Sequence, residues 1–240
     1  MDVTTQVALS RQTALERELS MIANNLANMS TIGYRQEQGV FSEFVNATPS
    51  GDSVSMSAMR TRFQSDTPGG HRMTGAPLDI AVDGEGYFQV ERGGEPRLTR
   101  AGSFMTNAEG EVVTPLGARL LDAAGVPVVL PPDAADIAIG ADGTMTAGGV
   151  PIAQLGLFES APGASFERED GVHFRSDQPF QPVLEGRMVQ GALEQSNVVP
   201  VAEMTRMIEV QRAYEFSQSL QEREDDRIRS VIRTLGEPPR

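Results

Sequence analysis

The stretch VTTQVALSRQTALERELSMIANNLANM, residues 3–29, decides the fold. Leu15, Leu19, Ile22, Leu26 and Met29 recur at alternating steps of four and three, the spacing that lines one seam of a coiled-coil helix. No glycine or proline interrupts the run. Gly33 follows, and glycine accepts the left-handed conformation that ends a helix. A seam this narrow cannot close a core alone, so the helix wants a companion.

The other end of the chain offers one. Pro200 suits a first helical turn, where its missing N–H costs nothing. No glycine or proline then appears until Gly236, with Pro238 and Pro239 just beyond. Met204, Ile208 and Gln211 share one face of this span, and Met207, Val210 and Tyr214 a neighbouring one. Ile228, Val231 and Leu235 continue the stripe past a polar waist at 221–227. At 1.5 Å per residue the helix is roughly 50 Å long, more than a small domain's core element needs.

Between the helices the pattern changes. LDIAVDGEGYFQVE, residues 78–91, alternates and breaks at Asp83-Gly84. Further turn pairs follow at Gly93-Gly94, Glu109-Gly110, Asp142-Gly143 and Gly148-Gly149. Residues 76–185 therefore read as one antiparallel all-β domain of barrel or sandwich type. Residues 34–75 hold Val40, Phe41, Phe44 and Val45 and then turn to Ser, Gly, Thr and Pro. They read, with 186–197, as an extended connector with short strands. The fold class is α+β, with 1–33 and 198–240 forming a helical domain.

Charge follows the same division. The formal net charge is −13. Residues 76–185 hold 17 acids against 6 bases, while the flanking regions are balanced. Balanced ends crowd against copies of themselves without strong repulsion; the acidic middle prefers solvent. With no basic cluster the chain makes a poor nucleic-acid partner. It has no cysteine and no lysine, which excludes disulfides, thiolate catalysis, Schiff bases and the phosphate-binding P-loop lysine. No membrane span and no cleaved leader are legible: Arg11, Glu16, Arg17 and Glu18 stand where an apolar signal core would run.

No catalytic, metal or cofactor site is expected, and no small-molecule substrate. Asp79, Asp83 and Glu85 cluster without EF-hand spacing and read as turn chemistry. His71 and His173 lie apart, without ligand-spaced neighbours. The asparagines at 24, 25 and 28 are more informative, since asparagine is a mediocre helix former. They read either as a solvated face at a helix end or as amides bonded across neighbouring subunits.

The run IANNLANMSTIGYR, residues 22–35, resembles the amino-terminal signature of the bacterial flagellar axial proteins, the rod, hook and hook-associated family. Ala23, Asn24, Asn25, Leu26, Ala27, Asn28, Ser30, Thr31, Gly33, Tyr34 and Arg35 carry the match. GALEQSNVVPVAEMTRMIEVQRAYEFSQS, from Gly191, is similar to the family's second signature, and 78–88, 98–121 and 137–145 are similar to its middle. The length and single β domain fit the middle-length rod proteins, and the opening residues look more like the proximal than the distal one. The resemblance implies a structural subunit and not an enzyme. Its terminal helices pair as an inner coiled coil lining a helical tube, with the β domain outside. It also implies a place in the periplasmic rod of the basal body, and export through the flagellar type III apparatus without a cleaved leader. Its partners would be copies of itself and other rod proteins. The expected assembly interface comprises Leu15, Leu19, Ile22, Asn24, Asn25, Leu26, Asn28, Met29 and Gly33. On the second helix it comprises Met204, Ile208, Gln211, Tyr214, Ile228, Val231 and Leu235. The alternatives are a distal-rod subunit or, in a different class, a soluble oligomeric module that binds through its β domain.

Overall fold

The computed structural model describes residues 3–47, 53–132, 134, 136–183 and 185–236. Two compact units divide the chain. Unit 1 takes 1–27, 36–65 and 198–240, and unit 2 takes 28–35 and 66–197.

Unit 1 contains helix α1 (Val3–Ala27), strands β1 (Glu37–Ala47) and β2 (Ser53–Gln64), and helix α2 (Pro200–Gly236). The helices pack against each other antiparallel: Tyr214 of α2 bonds Gln12 and Glu16 of α1, while Arg206 bonds Glu18. β1 and β2 form an antiparallel hairpin that lies against α1, with a register shift between Val40 and Phe41. The extra residue of this bulge is Arg60 of β2, which stands between Met59 and Thr61 without a partner opposite it in β1. The segment 34–75, read as a connector with short strands, thus carries two long ones, while 186–197 holds strands of four and three residues.

α1 ends at Ala27, before Met29. Asn28 Oδ1 accepts from Thr31 Oγ1 at 3.0 Å, and Asn28 O accepts from Thr31 N at 3.1 Å. Such local bonds compete with the helical ladder. Met29 is therefore outside α1 and exposed, which corrects its place in the helix seam. Gly33 does not cap the helix either. Its φ of +68° turns the chain where a Cβ would stand 2.3 Å from the main chain of Arg100 and Ala101.

Unit 2 is antiparallel β throughout. Strands β3 (His71–Met73), β4 (Ile80–Asp83), β5 (Tyr87–Arg92) and β6 (Glu95–Thr99) open it. β5 and β6 sit at the middle of a nine-stranded sheet. Its main path runs Phe166–Asp170, His173–Ser176, β6, β5, Arg119–Leu120, Val112–Val113, Met105–Thr106. That path has two ends, so among the described residues the strands do not close into a barrel. Gly93 and Gly94, both at positive φ, make the β5–β6 hairpin turn that the sequence announces. β4 pairs with Arg187–Gln190, and β3 with Ala192–Glu194. Ile80, Val82, Phe88, Val90, Leu120, Met145 and Met188 belong to one buried core. Phe88 meets Phe104 edge to face, with centroids 5.5 Å apart.

Candidate assembly interface

The expected interface residues on α1 fall into two groups. Ile22 is wholly buried, and Leu15, Leu19 and Leu26 are half-buried. They help close unit 1 from within. Asn25 is buried and committed inside the chain, not across subunits: its Nδ2 donates to Glu37 O and its Oδ1 accepts from Glu37 N, both at 2.9 Å. A primary amide offers one donor and one acceptor side by side, which matches the N–H and C=O that a strand residue presents on one edge. β1 starts where that pairing fixes it. Glu203 of α2 completes the cluster, accepting from Asn25 Nδ2 at 3.4 Å and from Gln36 Nε2 at 2.6 Å. Asn24 is exposed, and Asn28, Met29 and Gly33 belong to unit 2.

α2 presents two stripes. Glu203, Val210 and Ser217 are buried at seven-residue intervals, with half-buried Met207 and Tyr214 between them and half-buried Gln221 just beyond. This face carries the bonds to α1: Gln12 Nε2 donates to the Tyr214 hydroxyl at 2.8 Å, and that hydroxyl donates to Glu16 Oε1 at 3.1 Å. Arg206 meets Glu18 at 2.8 Å about two turns away along α2. The second stripe faces outward. Met204 and Ile208 are 50% and 51% exposed, and Gln211, Val201, Phe216 and Leu220 are also exposed. Tyr214, expected beside Met204 and Ile208, belongs to the inner stripe.

Ile228 and Val231 lie on the continuation of the inner stripe, four and seven residues past Glu224, yet both are exposed. The lengths account for this. α1 has 25 residues and α2 has 37. With Tyr214 opposite 12–16, α1 runs out opposite about Glu224, and the last turns of α2 extend past it. The side chain of Leu235, on the same stripe, lies outside the described residues.

Asp79 and His173, weighed for metal or acid–base work, have structural partners. Asp79 Oδ2 accepts from Thr74 Oγ1 at 2.6 Å. His173 is wholly buried, and its Nδ1 meets Asp170 Oδ1 at 2.7 Å. Burial first, and the nearby Arg92 and Arg97 against the opposing Glu169, push the His173 pKa down to about 4. No group of three metal-ligating side chains occurs among the described residues.

Sequence reading missed Glu203 and Glu37 as the partners of Asn25. Their one signal was position, since each opens an element that the amide must reach.

Three family matches fit this architecture. Residues 6–35 match the family "Flagella basal body rod protein", 81–147 the "Flagellar hook protein FlgE/F/G D1 domain", and 189–234 the "Flagellar basal body rod FlgEFG protein C-terminal". These are the two helical ends and the β body, and they define the class: a rod or hook protein of the flagellum. The flagellar basal-body rod protein FlgF of Caulobacter vibrioides is 35% identical over 98% of this chain and 99% of its own length. The FlgF of Rhizobium meliloti is 36% identical over 96% of each. The chain belongs to the FlgF family of flagellar basal-body rod proteins, a structural family and not one of enzymes. The basal-body rod protein FlgG of Agrobacterium fabrum is 30% identical over 95% of this chain.

Proposed function

We propose that this chain is a structural subunit of the proximal flagellar rod. Copies of it, with other rod proteins, assemble through their terminal helices into a helical tube that carries motor torque. The observation that carries the reading is the second stripe of α2. A monomer leaves Met204 and Ile208 exposed beside an already completed helix pair, and a coiled coil between subunits would cover them. Head-to-tail contacts whose rotation does not close generate a helical filament. The inner stripe, with its four-three spacing, forms the seam within each subunit. The subunit belongs in the periplasmic part of the basal body and reaches it through the flagellar type III export apparatus. No helix among the described residues is long and apolar enough to cross a membrane.

The test is Ile208→Asp. It should leave the purified chain folded and abolish its recovery in isolated basal bodies, and normal incorporation would refute the reading. The proximal assignment rests on the higher identity to FlgF than to FlgG relatives, and the distal position is the alternative.

One observation favours a second reading, binding through the β body. A cavity of about 870 Å³ in unit 2 is lined by Phe158, Phe180, Arg97 and Arg175 among others. Its charges already pair, however: Arg97 with Glu95 and Glu169, and Arg175 with Glu167. That leaves few groups to recognise a ligand, and the rod reading stands first.

A further inference from the structure

Unit 2 buries three charged side chains together. Arg35, Arg100 and Glu194 are 2%, 3% and 1% exposed. One Glu194 oxygen meets Arg35 at 2.9 Å, and the other meets Arg100 at 3.1 Å. The first also accepts from Gly69 N at 3.2 Å. Two guanidiniums thus share one carboxylate. Arg35 donates further to Asp66 O at 2.7 Å, and Arg100 to Gly84 O at 2.8 Å. Burial lowers the Arg100 pKa; Glu194 opposes that, and Arg35 adds to it.

The chain positions of the three matter as much as the geometry. Residues 28–35 are separated from the rest of unit 2 by 36–65, which belong to unit 1. What holds them to the body comes from far along the chain. Gly33 N donates to Glu194 O at 2.8 Å, and Arg35 pairs with the Glu194 carboxylate. The Arg168 guanidinium lies 4.2 Å from the centre of the Tyr34 ring and donates to Arg35 O. Glu194 therefore anchors the segment through both its main chain and its side chain. It sits in Ala192–Glu194, the last strand of the unit.

We infer that Arg35, Arg100 and Glu194 form a closure latch, which seats residues 28–35 on the β body only once Glu194 is in place to neutralise both arginines. Two like charges are not desolvated side by side without an anion, and removing one member of such a cluster does more damage than replacing all of it. In a chain that emerges amino end first, the amino-terminal signature is then the last piece of unit 2 to lock. Before that, Arg35 and Arg100 stay hydrated and the segment stays off the body. The inference uses contacts within unit 2 alone and does not rest on the rod reading.

Hydrogen exchange of the full-length chain, read by mass spectrometry, tests it. Glu194→Gln keeps the shape and removes the charge. Peptides covering 28–35 should exchange at least about tenfold faster, while β5 and β6 keep wild-type protection. The triple change Arg35→Met, Arg100→Met, Glu194→Leu removes all three charges and should restore protection at 28–35 to within about threefold. Unchanged exchange at 28–35 in Glu194→Gln overturns the latch. So does an equal loss across β5 and β6, or a triple variant that restores nothing, because Glu194 is then ordinary scaffolding and not a charge-dependent closure.

Discussion

Unit 1 and unit 2 are stabilised in different ways. Unit 2 has a contiguous apolar core around Phe88, Val90 and Met145, and the large apolar groups it exposes, among them Met73, Leu116 and Val150, lie on different strands and turns. Unit 1 is a pair of long helices and a hairpin. Its inner seam mixes Ile22, Met21 and Val210 with Asn25, Glu203 and Ser217, and α2 keeps an apolar stripe in water. A seam rich in hydrogen bonds fixes register more than it adds stability. The β unit is thus complete by its own packing, and the helical unit is specified in register but unfinished in burial. That is the division expected of a subunit whose ends join a larger body.

The comparison breaks first if the units do not unfold separately. Phe88→Ala empties the centre of unit 2 and should cost about 3–5 kcal/mol. Urea unfolding followed by circular dichroism should show the β transition moved to lower denaturant and the helical one unmoved. A single transition that shifts as a whole would show one cooperative body. Ile22→Asp is the reciprocal change. It places an unpaired charge at a site with no exposure, at a cost of about 3–5 kcal/mol to unit 1. Helical signal should fall while the near-ultraviolet signature of Phe88 and Tyr87 persists.

Protonation discriminates next, because the buried histidine belongs to unit 2 only. The His173 pKa is about 4 in the folded chain against an ordinary 6.5, so the folded state favours the neutral ring. That contribution is fully present above pH 6.5 and is lost as pH falls from 6.5 towards 4. The loss amounts to about 3 kcal/mol, and Asp170 beside the ring limits it. Urea midpoints at pH 7 and pH 4.5 should diverge for the β transition, and His173→Gln should reduce the divergence. A slope that His173→Gln leaves untouched would assign the effect to carboxylates such as Glu169, whose pKa is held down chiefly by its hydrogen bond to Arg97.

Much of this was legible in the sequence, for reasons that mark the boundary of such reading. Both helices announce themselves by period and by Pro200 and Gly236, and the turns by glycine pairs, because these are local constraints. The partners of Asn25 and Glu194 were not legible, since they lie 12 to 178 residues away for Asn25 and 94 or more for the side-chain partners of Glu194. The stripes of α2 were legible as faces, but which of them turns inward is settled by α1. Asn25→Asp probes the non-local part. It keeps the acceptor for Glu37 N and sets a carboxylate against Glu37 O and Glu203, so unit 1 should lose about 1–3 kcal/mol. Stability equal to the wild type in the helical transition would mean that the amide pairing contributes nothing.

The smallest effect gives the sharpest comparison, because it is drawn between two residues of one type on one stripe. Val210 and Val231 are separated by three seven-residue repeats on the same face of α2, so helix propensity and chemistry are equal for both. Their surroundings differ: Val210 is 7% exposed opposite α1, and Val231 is 45% exposed beyond its start. Val210→Ala should cost the isolated chain about 1.5 kcal/mol of buried methyl groups. Val231→Ala should stay within about 0.5 kcal/mol of wild type, as an exposed site does. Equal losses would mean that the inner seam reaches the end of α2 within one chain, and that the overhang is not there to receive a neighbour. A silent Val231→Ala in the monomer that nevertheless lowers recovery in basal bodies would assign those last turns to the contact between subunits.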